Sequence, residues 1–243
     1  MRYLIIADIH GNLTALEAVL KDAARQGAVG EIWCLGDIVG YGPEPAECIA
    51  LVKELDGVCV AGNHDRGAIG QIEMQNFNPF AAMALEWTMD KLSAADMLYL
   101  GKLPEEAQIG DFMLVHGSPA SPLFEYIIST GNAERNFNFF DTKYCLVGHT
   151  HAPAVFRQEP EKISAPMIMA NKGFLLSDEK TIINPGAVGQ PRDGDPRASY
   201  VIYDTDDHFL RFYRVEYDVR SVQDKMAQAG LPLQLIMRLE TGK

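Results

Sequence analysis

The sequence predicts an α/β fold, a four-layer α/β/β/α sandwich of two mixed sheets with flanking helices. Three observations predict it. Apolar and β-branched runs at Tyr3 to Ala7, Ile32 to Leu35, Val58 to Ala61, Phe112 to Val115 and Tyr144 to Val147 mostly lack polar alternation, as strands buried on both faces do. Helical spacings lie between the early runs, which is the grammar of βαβ units. After Ala152 the texture changes to shorter strands separated by Gly and Pro turns, which fits a second sheet packed on the first.

Taken in order, Leu13, Leu16, Val19 and Leu20 repeat at three- and four-residue steps after the first strand. Ile49, Val52 and Leu55 do the same behind Pro43 and Pro45, residues that suit a helix start. The stretch from Asn76 to Leu103 reads as helical, with Ser93 and Asp96 placed to cap a second segment. Arg66 to Gly110 lies between two ligand-bearing strands and is expected to form a helical cap (66-110) inserted in one domain spanning 1-243. Later strands are expected at Met167 to Ala170, Thr181 to Ile183, Tyr200 to Tyr203 and Phe209 to Tyr217. A helical tail from Val219 to Leu239 is interrupted at Gly230 and Pro232.

At 243 residues and 47% hydrophobic content the chain can bury one substantial core. The apolar start is too short to span a bilayer and lacks a signal-peptide flank, so a soluble, cytoplasmic protein without membrane contact is expected. Cys34, Cys48, Cys59 and Cys145 are too scattered for a thiolate zinc site or redox pair and read as reduced, buried thiols. A net charge of −12 with no Lys/Arg cluster disfavours a nucleic-acid polymer as partner, and with it a nuclease. The composition leaves homo-oligomerisation open.

One pattern recurs five times: a buried strand ends and a metal-ligating residue follows within two positions. Asp8 and His10 follow the first run, Asp37 the second through Gly36, and Asn63 the third through Gly62. His116 closes the fourth, and His149 and His151 follow the fifth through Gly148. Ligands of open α/β sheets collect at that edge. Five of six histidines, namely His10, His64, His116, His149 and His151, sit in these loops and only His208 lies outside, which a random scatter of surface and core histidines would not produce. A carboxylate can join two cations about 3.5 to 4 Å apart, and an Asn carbonyl keeps such a cage from becoming too negative. The donors are imidazole, carboxylate and amide, which admits Mn, Fe, Zn, Co or Mg, with Mn or Fe favoured.

Asp8-Ile9-His10, Gly36-Asp37, Gly62-Asn63-His64-Asp65, His116-Gly117 and Gly148-His149-Thr150-His151, in that order, make the chain resemble the calcineurin-like metallophosphoesterases. The resemblance implies one divalent metal ion held by Asp8, His10 and His151, a second by Asn63, His116 and His149, and a bridge through Asp37. It further implies hydrolysis of a small-molecule phosphate ester by a hydroxide shared between the two metals. His64 is then free to protonate the leaving group, and Asp65 is expected to orient its imidazole and raise its pKa. The competing reading of Asp65 is a loop or helix-cap carboxylate that binds backbone amides.

After Asp37 the chain departs from the protein phosphatases and diadenosine tetraphosphate hydrolases of the family, which carry an Asp-Arg pair where Gly40 and Tyr41 stand. That points to the smaller bacterial and archaeal branch and to a phosphodiesterase, the alternatives being a phosphomonoesterase, a protein phosphatase or a non-catalytic metal-binding scaffold. The stretch from Asn184 to Arg197 resembles the segment that closes over the metal site in that branch, and Arg192 is the side chain expected to bind a substrate oxyanion. The competing reading pairs Arg192 and Arg197 with Asp193 and Asp195 in a polar turn. Tyr41, Arg66, Phe80, Tyr126 and Phe156 are candidates to line the pocket, although ordinary packing explains aromatics at such spacing. The His-x-His-x-Asp-His run of metallo-β-lactamase-type hydrolases is absent.

Overall fold

Leu4 and Ile6 point to one face of the first strand and Ile5 and Ala7 to the other, and each pair disappears into a different core. A strand buried on both sides needs a layer on each side. The computed structural model describes residues 1–27, 30–55 and 57–243, and among them two six-stranded sheets meet those needs. Strands are numbered in chain order. The first sheet runs β3 (Gly57–Cys59), β2 (Glu31–Cys34), β1 (Arg2–Ile6), β11 (Ala198–Asp204), β12 (Phe209–Val215), β9 (Gly173–Leu175). The second runs β4 (Glu106–Ile109), β5 (Phe112–Val115), β6 (Tyr144–Leu146), β10 (Thr181–Asn184), β7 (Ala154–Gln158), β8 (Ile163–Ser164).

Both sheets are mixed. β1, β2 and β3 are parallel neighbours, whereas β11, β12 and β9 continue antiparallel. In the second sheet β5, β6 and β10 are parallel, and β4, β7 and β8 add antiparallel edges. Between the sheets Ile5, Trp33, Leu35 and Val201 meet Leu114, Leu146 and Ile183. On the outer face of the first sheet α1 (Leu13–Arg25) and α2 (Pro45–Glu54) bury Leu16, Val19, Ile49 and Val52 against Leu4 and Ile6. The outer face of the second sheet is covered around α6 (Thr130–Asn136), where Ala133, Phe137 and Phe140 pack on Val115, Cys145 and Ile182. The result is the expected α/β/β/α order.

Local chemistry sets the helix starts. The Asn12 side chain accepts from Ala15 N ahead of α1, and Pro45 opens α2. Ser93 and Asp96 form the expected capping box ahead of α5 (Ala94–Lys102), which follows α4 (Pro79–Met89). Together with α3 (Asn63–Ala68) these helices occupy the segment read as a cap, but its last residues, Glu106–Ile109, leave it to pair with β5 as β4. At the end of the chain α7 (Val219–Gln228) and α8 (Leu233–Thr241) break around Gly230 and Pro232 as expected. They pack Val222, Met226, Leu235 and Leu239 on Tyr41 and on Ala81 and Ala84 of α4.

The strand expected at Met167 to Ala170 does not form. Met167 is 89% exposed and Met169 57%, and the pairing in that region falls to β8 and β9 on either side. Apolar content alone does not make a strand without a ladder partner. Among the described residues no helix is long and apolar enough to cross a membrane.

Leu114 is fully buried between the sheets. Leu114→Ala is expected to destabilise the protein by roughly 2–5 kcal/mol through lost transfer energy and a residual cavity. The check is urea unfolding, in which the midpoint falls while the denaturant slope stays constant.

Candidate metal centre

The loops that leave β1, β2, β3, β5 and β6 at their carboxyl ends converge, and all seven sequence-predicted ligands lie in them, each 6% exposed or less. Main-chain bonds lash the loops together: Asp8 N donates to Gly36 O at 3.1 Å, His10 N to Asp37 O at 2.9 Å and Gly148 N to His116 O at 2.7 Å. Gly62 permits a close approach, because a Cβ there would stand 2.0 Å from Asp37 Oδ1. Five predicted ligands have left-handed backbone, Asp8 (φ 55°), His10 (50°), Asp37 (54°), His149 (65°) and His151 (57°), and Tyr41 between them adds a sixth (60°). Such conformations cost roughly 1 kcal/mol or more apiece and persist where the surroundings over-determine them.

Two groups of donor atoms form. One atom each from Asp8, His10, Asp37 and His151 lie within 4.8 Å of one another, and so do atoms from Asp37, His116 and His149, so that Asp37 belongs to both. Asn63 joins the second group, with Oδ1 3.2 Å from His116 Nε2. The backbone fixes which ring nitrogen points inward. His10 Nδ1 donates to Val39 O (3.0 Å), His116 Nδ1 to Leu35 O (2.8 Å) and His151 Nδ1 to Gln190 O (2.6 Å), which turns each Nε2 lone pair toward the centre. His10 Nε2 consequently faces His151 Nε2 at 3.1 Å, acceptor against acceptor. Asp8 Oδ2 and Asp37 Oδ2 are buried with no hydrogen-bond partner. Buried lone pairs that face one another without a proton between them fit divalent cations, and the residues present therefore suit a two-metal centre.

The titration behaviour of His10, His149 and His151 agrees with that donor set. Burial holds His10 and His151 well below the usual imidazole range and His149 at about 3, so these rings are neutral and their lone pairs free. Asp8 is pushed up to about 7 by burial. Burial also presses Asp37 upward, but His116, His64 and His10 outweigh it and hold that carboxylate low. His116, for which burial is opposed by the charges of Asp37 and Asp8, rises to about 9, so a cation on its Nε2 would take the place of a proton.

His64 belongs to neither group. Its ring packs on His10 (4.8 Å between centroids), Tyr41 (4.4 Å) and Phe77 (5.1 Å), and burial lowers its pKa to about 4. The expectation that Asp65 orients this imidazole and raises its pKa is not met. Asp65 Oδ1 accepts from Ile38 N and Val39 N and Oδ2 from Asp37 N and Gly62 N, so that the carboxylate is spent on the amides of two ligand loops. His64 Nδ1 has no partner, and the residue facing it is Gly40, whose Cβ would stand only 2.4 Å away. The departure from the Asp-Arg pair thus leaves the ring without a carboxylate.

Arg192 makes no ion pair with Asp193 or Asp195. Those acids bind Arg214 and Arg197, while the Arg192 guanidinium lies 5.4 Å over the Tyr41 ring, beside the centre. Tyr126 stacks on His149 at 4.0 Å. Of the other pocket candidates, Phe156 lies in the core under α6, Phe80 is exposed on α4, and Arg66 caps the carbonyls of Leu100, Gly101 and Leu103 at the end of α5. Spacing in the sequence does not single out two residues that the fold brings here, Gln190 and Arg238.

The calcineurin-like phosphoesterase superfamily domain matches residues 1–208. The chain is a calcineurin-like metallophosphoesterase. The metallophosphoesterase of Sphaerobacter thermophilus superposes on it with a TM-score of 0.92 at 48% identity, over 100% of this chain and 99% of that one. An uncharacterised protein of Methanocaldococcus jannaschii is 38% identical over 98% of this chain and 97% of its own length. A symmetrical bis(5'-nucleosyl)-tetraphosphatase of Thioalkalivibrio sulfidiphilus is 34% identical over 67 residues, which are 27% of this chain and 25% of that protein.

Two variants probe the metallophosphoesterase centre without touching a donor atom. Asp65→Ala leaves four amide donors unsatisfied and is expected to destabilise the fold by about 3 kcal/mol or more, read as a lower melting temperature together with weaker Mn binding. Full stability with lost turnover alone would instead indicate a direct part in the reaction. Gly40→Ala, strained at φ 86° and crowding His64, is expected to lower phosphoester hydrolysis at least about tenfold while Mn stoichiometry in equilibrium dialysis is retained.

Proposed function

We propose that this metallophosphoesterase is a phosphodiesterase acting on a small-molecule phosphate ester with two divalent cations. Asp8, His10 and His151 would hold one cation, Asn63, His116 and His149 the other, and Asp37 would bridge them. The observation that carries this reading is the Asp37 carboxylate. Its Oδ2 is buried, without a hydrogen-bond partner, 3.5 Å from His10 Nε2 and 3.3 Å from His116 Nε2, one oxygen common to both donor groups. Mn or Fe is favoured for a set of imidazole, carboxylate and amide donors without thiolate. When bound, the cations supply a water ionised near neutral pH and positive charge against the phosphoryl oxygens.

The chain's own residues do the rest. Asp37 Oδ1 accepts the His64 main-chain N–H at 2.9 Å, which fixes the start of α3 against the bridge. In this reading the His64 ring, held between Tyr41, His10 and Phe77, would donate a hydrogen bond to the leaving-group oxygen. Its pKa of about 4 makes it a neutral donor rather than a stored proton. The main-chain carbonyls on the Nδ1 atoms of His10, His116 and His151 keep those donors aimed, so that little rearrangement precedes the reaction. Arg192 adds a guanidinium for a substrate oxyanion.

Phosphodiester preference is supported by Gly40 and Tyr41, which stand where the phosphatases of the family carry an acid and an arginine. The four free cysteines support a reducing, cytoplasmic setting.

The test is hydrolysis of bis-p-nitrophenyl phosphate and of p-nitrophenyl phosphate by protein stripped of metal and reloaded with Mn. The diester is expected to be cleaved faster, stripping to abolish turnover, and His64→Ala to lose about 100-fold or more in kcat with Mn still bound. Asp37→Ala is expected to lose both turnover and the second Mn. Failure to cleave either ester with Mn, Fe, Zn, Co or Mg would overturn the assignment.

A further inference from the structure

Arg238 lies on α8, thirty residues beyond the matched superfamily domain, yet it reaches the same side chain as Arg192. Gln190 Oε1 accepts from Arg192 Nη2 at 2.7 Å and Nε at 3.2 Å, and from Arg238 Nη1 at 3.3 Å. Two guanidinium groups thus share one neutral oxygen. Among the described residues no Asp or Glu forms an ion pair with either, the nearby Asp193 and Asp195 being engaged by Arg214 and Arg197. Arg238 also donates from Nε to the main-chain oxygen of Lys243 at 2.9 Å. Holding two like charges together in a half-buried position is unfavourable without an anion between them. Burial and the charge of Arg192 both draw the Arg238 pKa down, as that repulsion requires.

Gln190 supplies the second observation. It is 1% exposed and its Nε2 is buried without a partner, although Oε1 on the same amide is saturated with donors. The gap beside Gln190, lined by His10, Tyr41, Val222, Met226 and Leu239, has room for about one water, so Gln190 serves the anion site through Oε1, which gathers the two guanidinium groups. Gln190 O meanwhile takes the Nδ1 proton of His151, a proposed metal ligand, so the arginine pair is joined to the centre through a single residue. The pair is also held in place. Gly194 N donates to Gly242 O at 2.8 Å, which pins the end of α8 to the loop that carries Arg192, and Lys225 Nζ bonds Glu44 Oε1 at 2.7 Å, which pins α7 to the start of α2.

We infer that Arg192 and Arg238, gathered by Gln190, form a second anion subsite, which binds a phosphoryl group of the substrate other than the one being cleaved. The inference rests on the phosphodiesterase reading for its place beside the scissile phosphorus and names the substrate class, a phosphodiester bearing a second phosphate. The scissile group is served by the metal donors and His64, which leaves the arginine pair for the remainder of the molecule.

The experiment compares p-nitrophenyl thymidine 5'-phosphate with its 3'-phosphorylated analogue, which differ only in the extra phosphate, using Mn-loaded wild type, Arg238→Ala and Arg238→Gln. Far-ultraviolet circular dichroism and melting temperature establish that each variant is folded, and Arg238→Gln, which keeps hydrogen-bonding capacity without charge, serves if the alanine variant is not. Wild type is expected to favour the bisphosphate in kcat/KM, and the ratio between the two esters is expected to fall about tenfold or more in the variants through KM. Hydrolysis with an unchanged ratio overturns the subsite and leaves the phosphodiesterase reading intact. If neither ester is cleaved, that reading fails, and the binding of thymidine 3',5'-bisphosphate by calorimetry decides the subsite. Affinity about tenfold weaker in the variants supports it, and equal affinity or no binding overturns it.

Discussion

The carboxyl edge of the two sheets depends on an exchange between two buried carboxylates, Asp37 and Asp65. Asp37 Oδ1 accepts from the backbone of His64, while Asp65 Oδ2 accepts from the backbone of Asp37, so each loop holds the other by its acid. An isolated buried carboxylate costs several kcal/mol, and this geometry offsets the cost with amide donors on Asp65 and imidazoles around Asp37. Asp37 Oδ2 is left facing two imidazole groups with nothing to accept. Of the four oxygens of this carboxylate pair, the one left without a hydrogen-bond partner is the one that two cations would share.

The same edge holds most of the backbone strain. Of eight non-glycine residues with left-handed φ among the described residues, six are Asp8, His10, Asp37, Tyr41, His149 and His151. An extended strand sends side chains two residues apart out of the same face in parallel, about 6.6 Å from each other, whereas the donor atoms within each group here lie within 4.8 Å of one another. Asp8 and His10, and likewise His149 and His151, converge on one centre because the backbone leaves the strand and curls. That curl is affordable only because β1, β2 and β6 behind it are buried in cores on both sides and resist displacement.

Much of this was legible in the residues alone. Strand endings followed by Asp, Asn or His can be read from the chain because topology sends the ends of parallel strands to one edge, and all seven predicted ligands lie at that edge. The residues left Asp65 open between orienting His64 and binding backbone amides, since adjacency to His64 says nothing about the direction of a side chain at the start of a helix, and its carboxylate takes the second course, turned back to four amides. Met167 to Ala170 has strand composition but no neighbour to pair with, and Glu106–Ile109, polar at alternate positions, became a strand because β5 offered an edge. Arg238 was invisible for a different reason: its partner Gln190 is 48 residues away, and only the docking of α8 joins them.

That docking bears on how selectivity is arranged. The predicted metal donors come from loops within the matched domain and are fixed by hydrogen bonds internal to it, so their geometry does not depend on α7 and α8. Tyr41 does need them. It is 4% exposed because Val222, Met226, Leu235 and Leu239 cover it from one side and Ala81 and Ala84 of α4 from another, while its ring contacts His10, His64 and the Arg192 guanidinium. A change in the packing of the C-terminal helices would therefore reach the site through one aromatic ring and one arginine, displacing the groups around the substrate while leaving the donor atoms in place. The predicted donors stand on strand ends and the neighbouring cationic side chains on a loop clamped by a terminal helix, so the two sets of groups can change independently.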